Sequence, residues 1–292
     1  MAAGEMNAQC PARQVGDRQL GKPTELSTIT RLTKDAKPNA SRTPRARHRA
    51  PLQNPDVLTS DMCRRLGANP RSARCGPELD LVISFLNGPL FAAPPRCDVA
   101  VFQEPRLASG FPDLVVVFWR RDIAQNWKSA RTELHRDDIR LAQYLHQTGP
   151  TMMPDLHDSG ARHSLRSLER LHAAGLVEPK HGAWALRPLS EIFAIEQLIA
   201  VEAKVSEWRA GLEQAWLNTW FASDSYLLVP HVPRGSALLE QAKEIGIGVW
   251  TEQGQVIAPT CRPKLPTSYA SWLFNEWVGR IPFLANTNGK RS

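Results

Sequence analysis

Two short stretches of this chain carry residue types that could hydrolyse a phosphodiester together. Val201-Glu202-Ala203-Lys204-Val205 alternates, so as a strand it sets Glu202 and Lys204 on one face and Val201, Ala203 and Val205 on the other. Far upstream, Phe111-Pro112-Asp113 leads into Leu114-Val115-Val116-Val117-Phe118-Trp119, a continuous apolar run that reads as a buried central strand with an acid at its entrance. Two acids and a lysine on adjacent strands can hold a hard divalent cation and a water. Phosphodiester hydrolysis must stabilise negative charge on the attacked phosphate and generate hydroxide near neutral pH, and a cation held by carboxylates meets both demands. Asp113 and Glu202 are the expected ligands, with the Ala203 carbonyl completing the protein side. Lys204 would orient or help deprotonate the attacking water and offset charge on the phosphate. Glu78 is a third acid, suited to a second ion directly or through water. Glu104 competes with it for that role, its alternative being a turn residue.

The elements that must position these groups can be read from periodicity. Gly76 to Gly88 has a proline near its start, apolar residues at 79, 82, 83 and 86 and a glycine past its end, which predicts a short amphipathic helix. Cys97 to Phe102 predicts a strand, Arg106 to Gly110 a turn, and Phe111 to Trp119 the antiparallel partner. After a long interval come a strand over Ile199 to Val205 and a helix over Glu207 to Ala222. A strand over Ser225 to Val229, a helix over Gly235 to Gly246 and a strand over Ile247 to Thr251 follow. This succession predicts an α/β (α+β) fold, a mixed sheet flanked by helices. The helix over Glu207 to Ala222 is expected to bury Trp208, Leu212, Ala215, Trp216 and Phe221. Nine tryptophans could stack on unpaired bases, but at helical spacing beside leucines they belong in the core. Ser268 to Val278 predicts a last helix that docks through Trp272, Leu273 and Trp277.

Composition narrows the function classes. The net charge of +7 is uneven: residues 1–75 carry 14 Lys/Arg against 6 Asp/Glu, and residues 76–292 carry 22 against 23. Residues 1–75 are therefore expected to be a basic, largely disordered leader. It is either a phosphate-seeking arm or a solvated tail or overextended start of translation. Five scattered cysteines without Cys-x-x-Cys spacing indicate neither a zinc site nor a disulfide framework. No apolar h-region follows the first residues and no apolar run approaches the ~20 residues that cross a bilayer, so a soluble, cytoplasmic protein without a membrane partner is expected. No Gly-x-x-x-x-Gly-Lys-Ser/Thr occurs, which sets nucleotide-driven reactions aside.

Pro112-Asp113 and Glu202-Ala203-Lys204 resemble the PD and ExK elements of the PD-(D/E)XK nuclease superfamily, the restriction-endonuclease-like fold. The resemblance covers roughly residues 76–119 and 195–251, where the order of elements also agrees with that fold's αβββαβ core. It implies Mg²⁺-dependent cleavage of nucleic acid, with Mn²⁺ as a substitute. It also assigns Glu78 to the first-helix glutamate and Gln214 to the polar residue on the helix after the ExK strand. One departure is large: 88 residues separate Asp113 from Glu202 where the superfamily usually has a short connection.

An insertion explains the gap. Asp138 to Thr148, Thr151 to Asp158 and Ser164 to Ala174 predict three helices, the last with Leu165, Leu168 and Leu171 on one stripe. Leu176 to Leu186 predicts a hairpin turning at Lys180-His181-Gly182. This segment resembles a winged helix-turn-helix module, which implies a third helix in the DNA major groove and a wing on backbone phosphates. Arg162, His163, Arg166 and Arg170, with Ser164 and Ser167, would supply donors from the helix, and Lys180 and His181 from the wing. The alternative is a protein-docking or purely structural winged helix. The expected organisation is thus a leader (1–75), a nuclease-like core in two parts (76–135 and 191–258), an inserted winged helix (136–190) and a C-terminal helical extension (259–292). The expected function is a metal-dependent DNA endonuclease, a homodimer if it cuts both strands of a duplex. The alternative is an inactive DNA-binding regulator or mobile-element accessory protein on the same scaffold.

Overall fold

The computed structural model describes residues 57–288 except 74, 89, 90, 109 and 153–163. Helix α1 (Ser60–Leu66) is capped by the Thr59 hydroxyl, which accepts the Met62 N–H, and is ended by Gly67 in the left-handed region. Leu58, Cys63, Leu66 and Ala68 are buried in the main core, and Val57 bridges to Val101. The fold therefore starts upstream of the boundary expected at residue 76. A two-turn amphipathic helix that buries two side chains leaves too weak a period to stand out from arginine-rich surroundings.

Helix α2 (Pro77–Asn87) precedes the antiparallel strands β1 (Cys97–Gln103) and β2 (Leu114–Arg120). Next come α3 (Arg121–Ala124), a 3-10 turn at Ser129–Glu133, α4 (Arg136–Thr148) and α5 (Ser164–Ala173). A hairpin of β3 (Val177–Lys180) and β4 (Ala183–Leu186) and the short α6 (Leu189–Ile192) return the chain to the sheet. There β5 (Ile195–Ala203), α7 (Trp208–Asn218), β6 (Asp224–Leu228), α8 (Leu238–Glu244) and β7 (Gly248–Thr251) follow. Strand β8 (Gly254–Ile257) and α9 (Tyr269–Asn288) complete it. The sheet runs β1-β2-β5-β6-β7-β8, with β5, β6 and β7 parallel and the remaining pairs antiparallel. The fold is a mixed α/β arrangement around one six-stranded mixed sheet.

The uninterrupted apolar run of β2 has its cause in two covered faces. Val115, Val117 and Trp119 join the core that contains α9, α4 and α5, whereas Leu114, Val116 and Phe118 pack with Leu81, Val82 and Phe85 of α2. A third cluster sets Leu212 and Ala215 of α7 and Leu238 and Ala242 of α8 against Leu227 and Val249.

Three expectations change. Trp216 is 49% exposed, because the buried stripe of α7 runs through Gly211, Leu212, Ala215 and Asn218 and leaves Trp216 beside it. Leu165 is 52% exposed, whereas Leu168 and Leu171 are fully buried. The insert is not a separate domain either. Leu134, Ile139, Leu141, Leu145, Leu168 and Leu171 share one apolar core with the sheet and with Trp272, Phe274 and Trp277 of α9. A buried ion pair ties the chain just before the insert to α9, and the same arginine reaches the end of α6: Arg131 Nε donates to Glu276 Oε2 at 3.0 Å, and its Nη2 donates to the Ile192 carbonyl at 3.0 Å. The second helix expected over Thr151 to Asp158 lies outside the described residues from 153 on. Thr151 itself pairs with Trp184 of β4.

Candidate active site

Strand register brings the two acids together. In the antiparallel β2–β5 pair Leu114 lies opposite Val201, so the next position outward puts Asp113 opposite Glu202. Pro112 and Asp113 stay in line with the hairpin because the Asp113 carbonyl accepts the Glu104 N–H at 3.0 Å. Asp113 Oδ2 accepts the Ala203 N–H at 2.7 Å, which fixes its carboxylate against the end of β5. Beyond the strand the Lys204 N–H donates to the Leu228 carbonyl at 2.9 Å, so the ladder to β6 continues under the lysine.

Lys204 Nζ lies 3.4 Å from Glu202 Oε1 and 3.6 Å from Glu78 Oε1, and so bridges the sheet to the first turn of α2. Glu78 follows Pro77 at the helix start, where the helix dipole favours a carboxylate. Gly211 of α7 makes room for this lysine: a Cβ there would lie 2.6 Å from both Lys204 Cγ and Leu227 Cδ1. A cleft of about 300 Å³ is lined by Glu78, Asp113, Glu202, Lys204 and Gln214, with Leu217 and Asn218 on the α7 side. The five residues expected to do chemistry thus converge on one cleft.

The electrostatics are those of crowded acids. Burial pushes the Glu202 carboxyl up to about 8, the neighbouring Asp113 charge pushes the same way, and Lys204 opposes both. Burial also raises Asp113, against the Ala203 N–H and Lys204. Burial lowers the Lys204 ammonium, but Glu202, Asp113 and Glu78 outweigh it and hold it above its ordinary value. Positive charge at this spot relieves a cost already built into the fold.

The donor set suits a hard cation. As placed, no three acidic, histidine or cysteine side chains among the described residues are close enough to share one ion. Mg²⁺ needs only one or two carboxylates, with water or substrate oxygens completing its shell. Asp113 and Glu202 are the two carboxylates that could supply it.

Arg71 also lines the cleft, and sequence reasoning missed it because it falls in the basic stretch assigned to the leader. Its signal is local, since Arg71 follows a buried Ala68 and a proline, as a folded segment would.

On the insert, Arg166 and Lys180 are exposed, and His181 and Gly182 turn the hairpin with φ of 51° and 81°. Arg170 is committed elsewhere. It donates to both carboxylate oxygens of the fully buried Asp138, at 2.8 and 2.6 Å, because that carboxylate must be paired where it sits. Its offer to DNA is withdrawn on that ground. Arg162 and His163 lie outside the described residues. No helix among the described residues is long and apolar enough to cross a membrane. Comparison with known proteins finds no family model, no curated protein and no solved structure that matches this chain.

Proposed function

We propose that this chain is a metal-dependent DNA endonuclease of the PD-(D/E)XK type, with Mg²⁺ as its ion and Mn²⁺ as a substitute. The observation that carries the proposal is the convergence of Glu78, Asp113, Glu202, Lys204 and Gln214 on one cleft at the ends of β2 and β5. A scaffold that did no chemistry would have no use for a buried glutamate raised to about 8 beside a second carboxylate. The order α2, β1, β2, β5, α7, β6, with a parallel β5–β6 pair, supports a restriction-endonuclease-like core. Helices α4 and α5 followed by the hairpin support an inserted winged helix, as does the isolated Thr151–Trp184 bridge, which ties residue 151 to the edge of the wing.

Asp113 and Glu202 would hold the ion, which when bound would supply Lewis-acid stabilisation of the phosphate and make a coordinated water more acidic than bulk water. Ala203 keeps the Asp113 carboxylate turned to the cleft through its N–H. Lys204, flanked by Glu202 and Glu78, stays protonated, so it aligns the attacking water by donating hydrogen bonds and offsets phosphate charge. Gln214 stands across the cleft as a neutral hydrogen-bonding group for water or substrate. On the insert, Arg166 and Lys180 are the exposed cations available to duplex phosphates.

The test uses the full chain with plasmid and with single-stranded DNA, with and without Mg²⁺ or Mn²⁺. Glu202→Ala and Lys204→Ala variants run alongside. Metal-dependent nicking lost in both variants is the expected result. DNA binding without cleavage under either metal would overturn the enzyme in favour of a DNA-binding regulator.

A further inference from the structure

Arg71 stands where two cavities meet. One is the cleft of Asp113, Glu202 and Lys204; the other, of about 210 Å³, is lined by Gln103, Glu104, Leu79 and Val82. Arg71, Glu78 and Asp113 belong to both, so the groove continues past the acids along the end of the β1–β2 hairpin.

The chain fixes this arginine from several sides. Its backbone N–H donates to the Glu104 carbonyl at 3.2 Å, and Arg106 N–H returns a hydrogen bond to the Ala68 carbonyl at 3.0 Å. Its Nε donates to the Glu104 carboxylate. Its guanidinium lies 5.1 Å from the Phe111 ring centroid. Glu104 is buried and holds a left-handed backbone with φ of 49°, a conformation that costs a residue with a Cβ and is kept only where the surroundings impose it. Nevertheless the Arg71 side chain remains 46% exposed, and among the described residues only its Nε has a side-chain hydrogen-bond partner.

The acids outnumber the cations, so the groove admits a phosphate only together with a bound cation, and the chemistry of Arg71 decides which part of a nucleic-acid strand it would meet. Four carboxylates, Glu78, Glu104, Asp113 and Glu202, line the joined groove, against Lys204 and Arg71. Lys204 already serves two of those acids. A nucleic-acid strand laid across the groove adds a phosphate every nucleotide, and the planar guanidinium fork matches phosphate oxygens in a way that a lysine does not. We infer that Arg71 grips a backbone phosphate of the strand in the cleft, and that Glu104 is its positioning residue.

This inference rests on the proposed nuclease function, and its test is arranged to fail separately. Affinity for a short DNA duplex is measured by fluorescence anisotropy over a range of KCl with Mg²⁺ present, in a Glu202→Gln background so that binding is read without turnover. Arg71→Met is expected to weaken binding about tenfold to hundredfold and to lower the slope of log affinity against log salt by about 0.9. Arg71→Lys, which keeps a cation beside Glu104, is expected to recover part of the affinity but not the whole. Glu104→Gln is expected to weaken binding less than Arg71→Met does. The decisive variant removes both charges, Arg71→Met with Glu104→Gln. If Arg71 only neutralises Glu104, that pair restores parental affinity and the inference is wrong; if Arg71 holds phosphate, the pair stays weak. An unchanged slope in Arg71→Met, or no DNA binding by the parent protein, also overturns it. Absence of metal-dependent cleavage by the unaltered chain removes the nuclease reading alone, because the binding series does not depend on turnover.

Discussion

Replacing Gly211 by alanine sets two physical effects against each other with opposite signs. Glycine inside a helix is less favourable than alanine by about 1 kcal/mol, so on backbone grounds the substitution in α7 should stabilise the protein. The added methyl, however, would lie 2.6 Å from Leu227 Cδ1 and 2.6 Å from Lys204 Cγ. Leu227 is fully buried between α7 and the sheet and has nowhere to go, and inserting a methyl into such a core costs about 1–3 kcal/mol. The net expectation is a loss of about 0–2 kcal/mol. Lys204 is the more compliant neighbour and will swing aside, which moves its ammonium from Glu202 and Glu78. Since a misplacement of about 1 Å can cost on the order of a hundredfold in rate, cleavage should fall much further than stability does. Urea unfolding followed by kcat/KM on plasmid DNA reads both effects. A variant that is as stable as the parent or more so, and that cuts at the parental rate, would refute the role of Gly211 as the spacer for Lys204.

Glu202→Gln should abolish cleavage and stabilise the metal-free protein. A buried carboxyl raised to about 8 loses stability as pH climbs from its unfolded value near 4.5 towards 8, on the order of 4–5 kcal/mol. Denaturant midpoints between pH 5 and 8 should fall for the parent and stay level for the variant, and parallel curves would contradict this. Asp138 shows the opposite sign: burial raises it, but Arg170, the His135 N–H and Ser167 outweigh burial and hold it below the usual carboxylate range. Its contribution is complete above about pH 4 and disappears as pH falls through the folded value, so Asp138→Asn should flatten acid unfolding and cost about 1–3 kcal/mol at pH 7, towards the lower end because Arg170 is one-third exposed. An acid transition unchanged by Asp138→Asn would count against the pair. Glu276→Ala leaves Arg131 buried without its partner and should cost about 3–5 kcal/mol in chemical denaturation, whereas Arg131→Met with Glu276→Leu should cost less. Equal losses would show that packing rather than charge sets the cost.

Much of the layout could be read from one-dimensional patterns. The apolar run of β2, the alternation at 201–205 and the proline and glycine bounding α2 each report local geometry, and each acquired its partner through strand register. What could not be read is pairing between residues far apart in the chain. Arg170 looks like a free cation until the carboxylate of Asp138 is found buried beneath it, and Arg71 looks like part of a basic tail until Glu104 is found holding it. Trp216 reads as buried but is exposed, because a tryptophan one position off a helical stripe gives nearly the same periodicity as one on it. Strand β8 was missed because its exposed edge alternates weakly over four residues. Burial of Arg131 against Glu276, 145 positions away, has no sequence signature at all.

The unbroken apolar layer that α9 makes with both the sheet and the inserted helices has a consequence for how the molecule comes apart. An excised 136–190 fragment would expose the leucines that share one core with Trp272 and Phe274, and so should collapse loosely instead of folding. Heating the whole chain should give a single melt, with the fold of the insert and the geometry of the acidic cleft lost at the same temperature.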